Sequence, residues 1–159
     1  MPPKPNYQRM LTLIDEVFAT RTDPDQIQVT QQQIKILEKI HPNCLSEVSD
    51  ENGPLIWLLV IPTTAELMNH FLKNQLTERE LLERTPIGVH YNAIYLCSVT
   101  TLPEASGRGK TFQLCMQTIH EIMQTHPIQY LFVWPFTKAG EALAKKIAHA
   151  SHLKLFIKQ

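Results

Sequence analysis

The chain carries no net charge, no long apolar stretch and no closely spaced cysteines. Its 15 Lys and Arg residues balance 15 Asp and Glu residues, so no overall field would gather nucleic acid or an anionic membrane. The longest apolar run, residues 55–61, is too short to cross a bilayer, and residues 1–5 lack the apolar segment of a signal peptide. We therefore expect a cytoplasmic protein whose main partner is neither nucleic acid nor a membrane.

Cysteine usage argues against metal and disulfide chemistry. Cys44, Cys97 and Cys115 are odd in number and widely spaced, and no CxxC pair occurs. Zinc sites and redox-active dithiols need closer spacing. We expect free thiols in a reducing compartment and no bound metal.

The length and composition are typical of one globular domain. The chain has 159 residues, of which 43% are hydrophobic and 19% are charged. A chain of that size buries a core without disulfides or a structural metal. Because no repeat, linker or low-complexity segment divides it, we expect a single domain over residues 1–159.

The first half predicts short helices around a hairpin. Apolar residues at helical spacing predict a helix over residues 7–18, another that ends at Pro42, and two short ones within residues 64–84. The turn signal Asn52-Gly53 separates two expected strands, residues 45–48 and 55–61. Three capping-box pairs support the helix starts, namely Thr30 with Gln33, Thr63 with Glu66, and Thr77 with Glu80.

The second half alternates strands with helices. Residues 91–99 and 128–134 are rich in aromatic and branched side chains and predict buried strands, and residues 153–157 predict a third. Apolar positions at helical spacing predict one helix directly after Gly109 and another over residues 139–150. This alternation indicates an α/β or α+β sheet with parallel crossovers, flanked by helices.

A glycine-rich turn joins a predicted strand to the helix that follows. Gly107 and Gly109 allow an anion to approach the backbone closely, and Arg108 and Lys110 add positive charge. Backbone N–H groups and the positive end of the helix dipole converge on such a turn. The turn therefore predicts a phosphate site.

Two nucleotide-binding motifs come close to this turn, and both fail. A P-loop requires glycine where Glu104 stands, and the dinucleotide fingerprint requires glycine where Phe112 stands. A nucleotide-binding module is therefore the least favoured interpretation of the turn.

Residues 97–109 resemble the strand and pyrophosphate loop of the GNAT superfamily of N-acetyltransferases. That loop has Gln or Arg, then two variable residues, Gly, one variable residue, and Gly or Ala. Gly107 and Gly109 match its last two fixed positions, whereas Glu104 takes the place of Gln or Arg. The helices and strands predicted over residues 110–157 also follow the family's order, but the helices within residues 64–84 are an insertion and a seventh strand is missing.

A second register of the resemblance is open. It sets Ser106 in the place of Gln or Arg, with Gly109 as the first glycine and Thr111 last. The first register keeps both glycines and sets Val99 where the family's strand bulges beside the pantetheine arm.

The resemblance implies a mixed, mostly antiparallel sheet with a splayed central pair of parallel strands that admits acetyl-CoA, the co-substrate. A backbone N–H near Val99 would polarise the thioester carbonyl. Thr137 matches a position where relatives hold an Asn near the cofactor, although it also fits a helix cap. The cofactor-binding residues implied are Val99, Thr100, Thr101, Glu104, Ala105, Ser106, Gly107, Arg108, Gly109, Lys110 and Thr137.

The catalytic groups are less clearly marked in the sequence. His90 is the first candidate for the general base, because imidazole titrates near neutral pH, and an ordinary surface histidine is the alternative. Tyr91 and Tyr95 could line the acceptor cleft or simply fill the core. Glu66 and His70 share a helix face and could act as a lid, or could be exposed decoration.

The acid that protonates the departing thiolate has no obvious candidate. Many members of the resembled family use a Tyr in the helix after the buried strand, and this chain has Ala144 or Ala148 there. The first expectation is an N-acetyltransferase that acts on a small-molecule amine or a protein amino group. The alternative is a catalytically degenerate member that serves as a CoA-binding sensor or interaction module, and a homodimer is compatible with either.

Overall fold

The computed structural model describes Asn6, Arg9, Thr12, residues 31–135 and residues 137–159. The predicted helix over residues 7–18 and the predicted cap Thr30 lie largely outside the described residues, of which Arg9 and Thr12 are helical. The elements are α1 (Gln31–Ile40), β1 (Leu45–Asp50), β2 (Gly53–Thr63), α2 (Ala65–Leu72), α3 (Glu78–Arg84), β3 (Ala93–Thr101), α4 (Lys110–Met123), β4 (Tyr130–Val133), α5 (Lys138–Ser151) and β5 (Lys154–Ile157).

The strands form one mixed sheet in the order β1-β2-β3-β4-β5. β2 pairs with β1 and with β3 in antiparallel fashion, and β4 pairs with β3 and with β5 in parallel fashion. Parallel neighbours need a crossover, and α4 and α5 supply the two that are required. The predicted α/β or α+β class, with its mixed sheet flanked by helices, is confirmed.

The hairpin of β1 and β2 turns at the predicted place. Asp50 pairs with Gly53, so Glu51 and Asn52 form the tight turn. Gly53 has a φ of 114°, which L side chains rarely adopt. Both strands run longer than the sequence predicted, because the extended pairing continues through residues of low strand propensity.

The two short helices α2 and α3 begin at threonine caps. Thr77 and Glu80 form the predicted capping box: the Thr77 hydroxyl accepts from Glu80 N–H and the Glu80 carboxylate accepts from Thr77 N–H. At α2 the cap is Thr64, not the predicted Thr63. Thr63 is instead the last residue of β2, where its buried hydroxyl lies 2.9 Å from that of Thr85.

Helices cover both faces of the sheet. The two crossover helices, α4 and α5, contact each other on one face, as crossovers of the usual right hand require. The other face carries Tyr95 of β3 and Phe132 of β4, and Phe71 of α2 packs on both with ring centres 5.0 and 5.9 Å away. Since strand residues alternate between faces, Trp134 and Lys158 continue the Phe132 face beyond the ends of β4 and β5.

Candidate functional site

β3 extends beyond the end of its parallel neighbour β4, and we call the edge of β3 that is left there the opening. β3 and β4 pair from Ala93 with Tyr130 to Leu96 with Val133, where β4 ends. β3 continues to Thr101, with β2 as its strand partner along that stretch in the described part of the chain. A strip of sheet edge beside residues 98–101 is therefore left next to the end of β4.

A β-bulge marks the start of this opening. Leu59 pairs with Ser98 and Val60 pairs with Leu96, so Cys97 is the extra residue of β3. The bulge expected at Val99 is therefore found at Cys97, and Val99 pairs regularly with Leu58. A bulge increases the twist and bends its strand, and this one directly follows Leu96, the last β3 residue that pairs with β4.

The glycine turn follows the open part of β3. It begins with a 3₁₀ turn, Pro103–Ala105, in which Ala105 and Ser106 donate their N–H groups to Leu102 and Pro103. Gly107 and Gly109 then adopt φ values of +78° and +75°, in the left-handed region that favours glycine. The turn is exposed except for Ala105.

The start of α4 faces this turn without a side-chain cap. Gly109 is the cap residue, and among the described residues no side-chain cap hydrogen bond is made at this end of the helix. Arg108 and Lys110 are exposed beside it, and the Thr101 and Thr111 hydroxyls, 3.0 Å apart, tie the end of β3 to the first turn of α4. Uncapped N–H groups, a helix dipole and two cations can together hold a phosphate group.

The carboxylate of Glu104 is neutralised by Arg9. Two hydrogen bonds of 2.6 and 2.7 Å join the guanidinium to both carboxylate oxygens. The Arg9 hydrogen bonds lower the pKa of Glu104 from its ordinary 4.5 to about 2. Glu104 therefore presents an ion pair, and not a bare negative charge, beside the phosphate-type turn.

A buried carboxylate lies on the sheet face next to the opening. Glu78, the first residue of α3, is 4% exposed. Its Oε2 accepts a 2.5 Å hydrogen bond from the Tyr95 hydroxyl and lies 3.8 Å from Cys97 Sγ. The carboxylate therefore sits against the bulge at which β3 and β4 part.

Glu78 also lines a cavity of about 350 Å³ at the end of the sheet. The cavity lies between the α2–α3 connection and the residues that follow β4 and β5, and its walls include Phe71, Leu76, Trp134 and Lys158. Its volume is at the low end of the range for small-molecule sites. The cavity can thus hold a small ligand in contact with Glu78.

A second buried charged residue, Lys158, also lines the cavity. Lys158 is 9% exposed, and its Nζ lies 4.1 Å from the ring centre of Trp134 and 5.4 Å from that of Phe71. Ion pairs among the described residues join Arg9 to Glu104 and Arg84 to Glu80, so Lys158 and Glu78 belong to none. Aromatic faces hold the ammonium through cation–π attraction.

Of the predicted catalytic residues, Tyr95 lies at this site and four others lie elsewhere. His90 is exposed and precedes β3, at the end opposite the glycine turn. Glu66 and His70 are exposed on α2, where the His70 ring bonds to Gln75 Oε1 at 2.6 Å. Tyr91 is buried, with its hydroxyl donated to a backbone carbonyl at 2.6 Å, and so fills the core.

His90 belongs instead to a cluster of imidazoles. Its ring centre lies 5.9 Å from that of His126, which lies 5.7 Å from that of His41. Partial burial, followed by repulsion from His90, lowers the pKa of His126, and burial followed by repulsion from His126 lowers that of His41. The His126 ring accepts the Tyr91 N–H at 3.2 Å, which indicates a structural role.

Thr137 caps a helix, and the two alanines of α5 are part of the core. The Thr137 hydroxyl accepts the Gly140 N–H at 2.9 Å, so it caps α5. Ala144 and Ala148 are buried against the core and bring no titratable group to the site.

Cys44, Cys97 and Cys115 form no disulfide, as expected, and their environments differ. Cys44 and Cys115 are buried, and burial raises the pKa of each to about 12. Both are therefore unreactive near neutral pH. Cys97 is half-buried at the bulge, beside the Glu78 carboxylate.

The sequence reasoning missed Glu78, Trp134 and Lys158. Glu78 had one signal, its position in the first turn of a capped helix, where acids are common for another reason. Lys158 could have been found from strand alternation, because it shares the face of Phe156 and Phe132.

Two features of the described residues bear on membranes and metals. In the described part of the chain, no helix has the length and apolar character needed to cross a membrane. Among the same residues, His, Cys, Asp and Glu form no group of three or more that could hold a metal ion.

Comparisons with protein-family models, with curated proteins and with solved structures found no significant match.

Proposed function

We propose that this chain is an acetyl-CoA-dependent N-acetyltransferase of the GNAT type, which transfers an acetyl group from CoA to an amine by direct attack. The observation that carries the proposal is the opening between β3 and β4, which has a phosphate-type turn at one end and a buried carboxylate at the other. A cytoplasmic location, and an acceptor that is a small molecule or a protein amino group, belong to the same proposal.

The turn and the open edge of β3 fit the two ends of CoA. The uncapped start of α4, with Gly107, Arg108, Gly109 and Lys110, would hold the diphosphate. From Thr101 back to the bulge at Cys97 the strand rises by about 13 Å, a distance that an extended pantetheine arm can follow. Backbone groups of this edge would pair with the amides of the arm as a neighbouring strand does.

Glu78 is suited to the role of general base. Acetyl-CoA supplies the activated acetyl thioester, and the protein must remove a proton from the attacking ammonium. The Glu78 Oε2 atom, beside the bulge and lining the cavity, can hold that proton. A base here explains why a carboxylate is buried at the opening.

Tyr95 is suited to the acid role that α5 leaves vacant. Its hydroxyl donates to Glu78 Oε2 and is fully buried against Phe132, whose ring stacks on it at 5.0 Å. A proton held on Glu78 can pass to the Tyr95 oxygen as the phenol gives its own proton to the departing sulfur. With Tyr95 as the acid, the reaction does not require a Tyr at the position of Ala144 or Ala148.

Binding of CoA tests the loop assignment, with two glycine variants as a matched pair. Gly109 and Gly88 have φ values of +75° and +78°, and a Cβ at either would meet nothing within 4 Å. Both alanine variants therefore carry the same backbone strain, about 1 kcal/mol. Gly109→Ala alone sets a methyl group where the diphosphate approaches, so calorimetric titration should show CoA affinity weakened about tenfold or more.

Gly88→Ala should bind CoA as the unchanged chain does. Equal CoA affinity in both variants would contradict the loop assignment. Release of free CoA thiol with a panel of amines then separates the candidate functions, since CoA binding without release favours the non-catalytic sensor. That alternative is supported by Glu104 in the place of Gln or Arg.

The Arg9–Glu104 pair gives a second prediction. Arg9→Ala leaves Glu104 as an unpaired negative charge next to the diphosphate, so CoA affinity should fall by about three- to tenfold at low salt. The double variant Arg9→Ala/Glu104→Gln removes the repulsion and should recover the affinity in the same titration. If the double variant binds as weakly as Arg9→Ala, neutralisation of Glu104 is not the role of Arg9.

The same pair predicts a pH dependence. The pKa of Glu104 is lowered in the folded chain. The ion pair therefore stabilises the folded chain fully above pH 4.5, the ordinary pKa of the group, and this stabilisation is lost as the pH falls toward about 2. The Arg9→Ala variant should therefore shift the Glu104 titration, followed by NMR, back toward 4.5.

A further inference from the structure

The buried side chain of Lys158 has no negative partner among the described residues. Its backbone N–H donates to the Val133 carbonyl at 2.9 Å, so its main chain is fixed to the end of β4. Its side chain lies along Trp134 and Phe71, and no carboxylate among the described residues pairs with it. Removing a charge from water costs free energy, and an anion bound beside the charge offsets that cost.

Glu78 sets the opposite charge on the wall of the same cavity. Both groups are more than nine-tenths buried and both line the cavity, yet they form no ion pair with each other. A ligand with one positive and one negative group can therefore bridge them. A ligand with only an amine would leave the Lys158 charge uncompensated and would be repelled by it.

The rest of the cavity limits the size and character of that ligand. Its volume of about 350 Å³ suits a small molecule better than a segment of a folded protein. Phe71, Leu76 and Trp134 offer apolar walls, whereas Asn74 and Thr77 offer hydrogen bonds. A compact zwitterion with a partly apolar side chain meets these conditions.

We infer that the acceptor is a small amino acid-like zwitterion, whose ammonium group meets Glu78 and whose carboxylate meets Lys158. The inference rests on the proposed acetyl transfer for the identity of the reaction, and on the cavity alone for the identity of the ligand. It narrows the acceptor from amines in general to free amino acids and close analogues.

The transfer balances with these groups. One ammonium proton goes to Glu78, and the nitrogen lone pair forms the new N–C bond to the acetyl carbon. The C–S bond breaks with its electron pair on sulfur, which takes a proton from Tyr95, and Tyr95 regains one from Glu78. The second proton lost by nitrogen is released to water, so the products are an N-acetyl amino acid, CoA thiol and one proton.

Matched ligands test the inference without a need for turnover. The common amino acids are titrated calorimetrically into the full chain, with and without CoA, beside leucine's and phenylalanine's decarboxylated counterparts, 3-methylbutylamine and 2-phenylethylamine. We expect at least one amino acid to bind about tenfold or more tightly than its matched amine, because the lost carboxylate makes a charge-assisted contact.

Variants of two lysines make the test specific. Lys158→Met should remove the preference for the carboxylate, and Lys158→Arg should keep much of it. Lys154→Met is the control, since Lys154 is an exposed lysine of β5 that also lies over an aromatic ring, 5.2 Å from Phe156. Thermal melts of the variants show whether each is folded.

The outcomes separate this inference from the proposed function. If no amino acid binds, or if Lys158→Met keeps the preference while folded, the inference is overturned even where simple amines are acetylated. If amino acids bind through Lys158 but CoA does not bind, the ligand assignment holds and the acetyltransferase proposal fails.

Discussion

Glu78→Gln should lower kcat for acetyl transfer by about 10²-fold or more, with CoA affinity unchanged. Glutamine keeps the shape of the side chain and an oxygen that accepts from Tyr95, so the fold around the site is retained. It cannot accept a proton at neutral pH, and the attacking nitrogen then has no base. Release of CoA thiol, followed with a chromogenic thiol reagent, gives kcat, and calorimetry gives the CoA dissociation constant.

Glu83→Gln is the matched control for this substitution. Glu83 is exposed on the same helix, α3, and its replacement makes the same change in charge. Activity equal to that of the unchanged chain is expected for it. A Glu78→Gln variant as active as Glu83→Gln would remove Glu78 from the mechanism.

Phe71→Ala should lower the free energy of unfolding by about 3–5 kcal/mol. Phe71 has no exposed surface, and its ring packs edge-on against Tyr95, Phe132 and Trp134 at 5.0, 5.9 and 6.2 Å. Its removal leaves a void between α2 and the sheet and takes away one of the two rings that hold Lys158. Chemical denaturation, with the slope of the transition monitored, measures the change.

Two other substitutions bracket the expected loss. Phe71→Leu keeps much of the buried volume and should lose considerably less stability. Phe112→Ala removes a ring that is half-buried on α4, under Lys146, and should also lose less. If Phe71→Ala were no more destabilising than Phe112→Ala, Phe71 would not be the centre of the aromatic cluster.

Much of the fold could be predicted because it depends on local patterns. The apolar spacing after Gly109 predicts α4, the Asn52-Gly53 signal predicts the hairpin, and the alternation of strands and helices predicts the parallel half of the sheet. Each of these signals lies within a few residues of the structure it describes. Among the described residues the bounds of the strands, one cap and the position of the β3 bulge differ, since pairing partners decide where a strand ends or bulges.

The candidate site could be predicted only in its backbone part. The turn at Gly107 and Gly109 is a local motif, whereas Glu78 meets Tyr95 across 17 positions of sequence and Arg9 meets Glu104 across 95. Such contacts depend on how elements pack, and residue type alone does not reveal them. The sequence favours His90 as the base because of the chemistry of imidazole. That chemistry does not indicate which end of β3 the residue occupies.

The start of α3 has a consequence for the position of the Glu78 carboxylate. Thr77 and Glu80 fix the residue at which the helix begins, and Glu78 is the next residue after that cap. Each step along a helix rotates the side-chain direction by about 100°. A shift of the chain by one residue at this cap would therefore turn the Glu78 side chain by about 100°, away from Tyr95. Thr77 thus determines the direction of the Glu78 side chain, although Thr77 itself takes no part in the reaction.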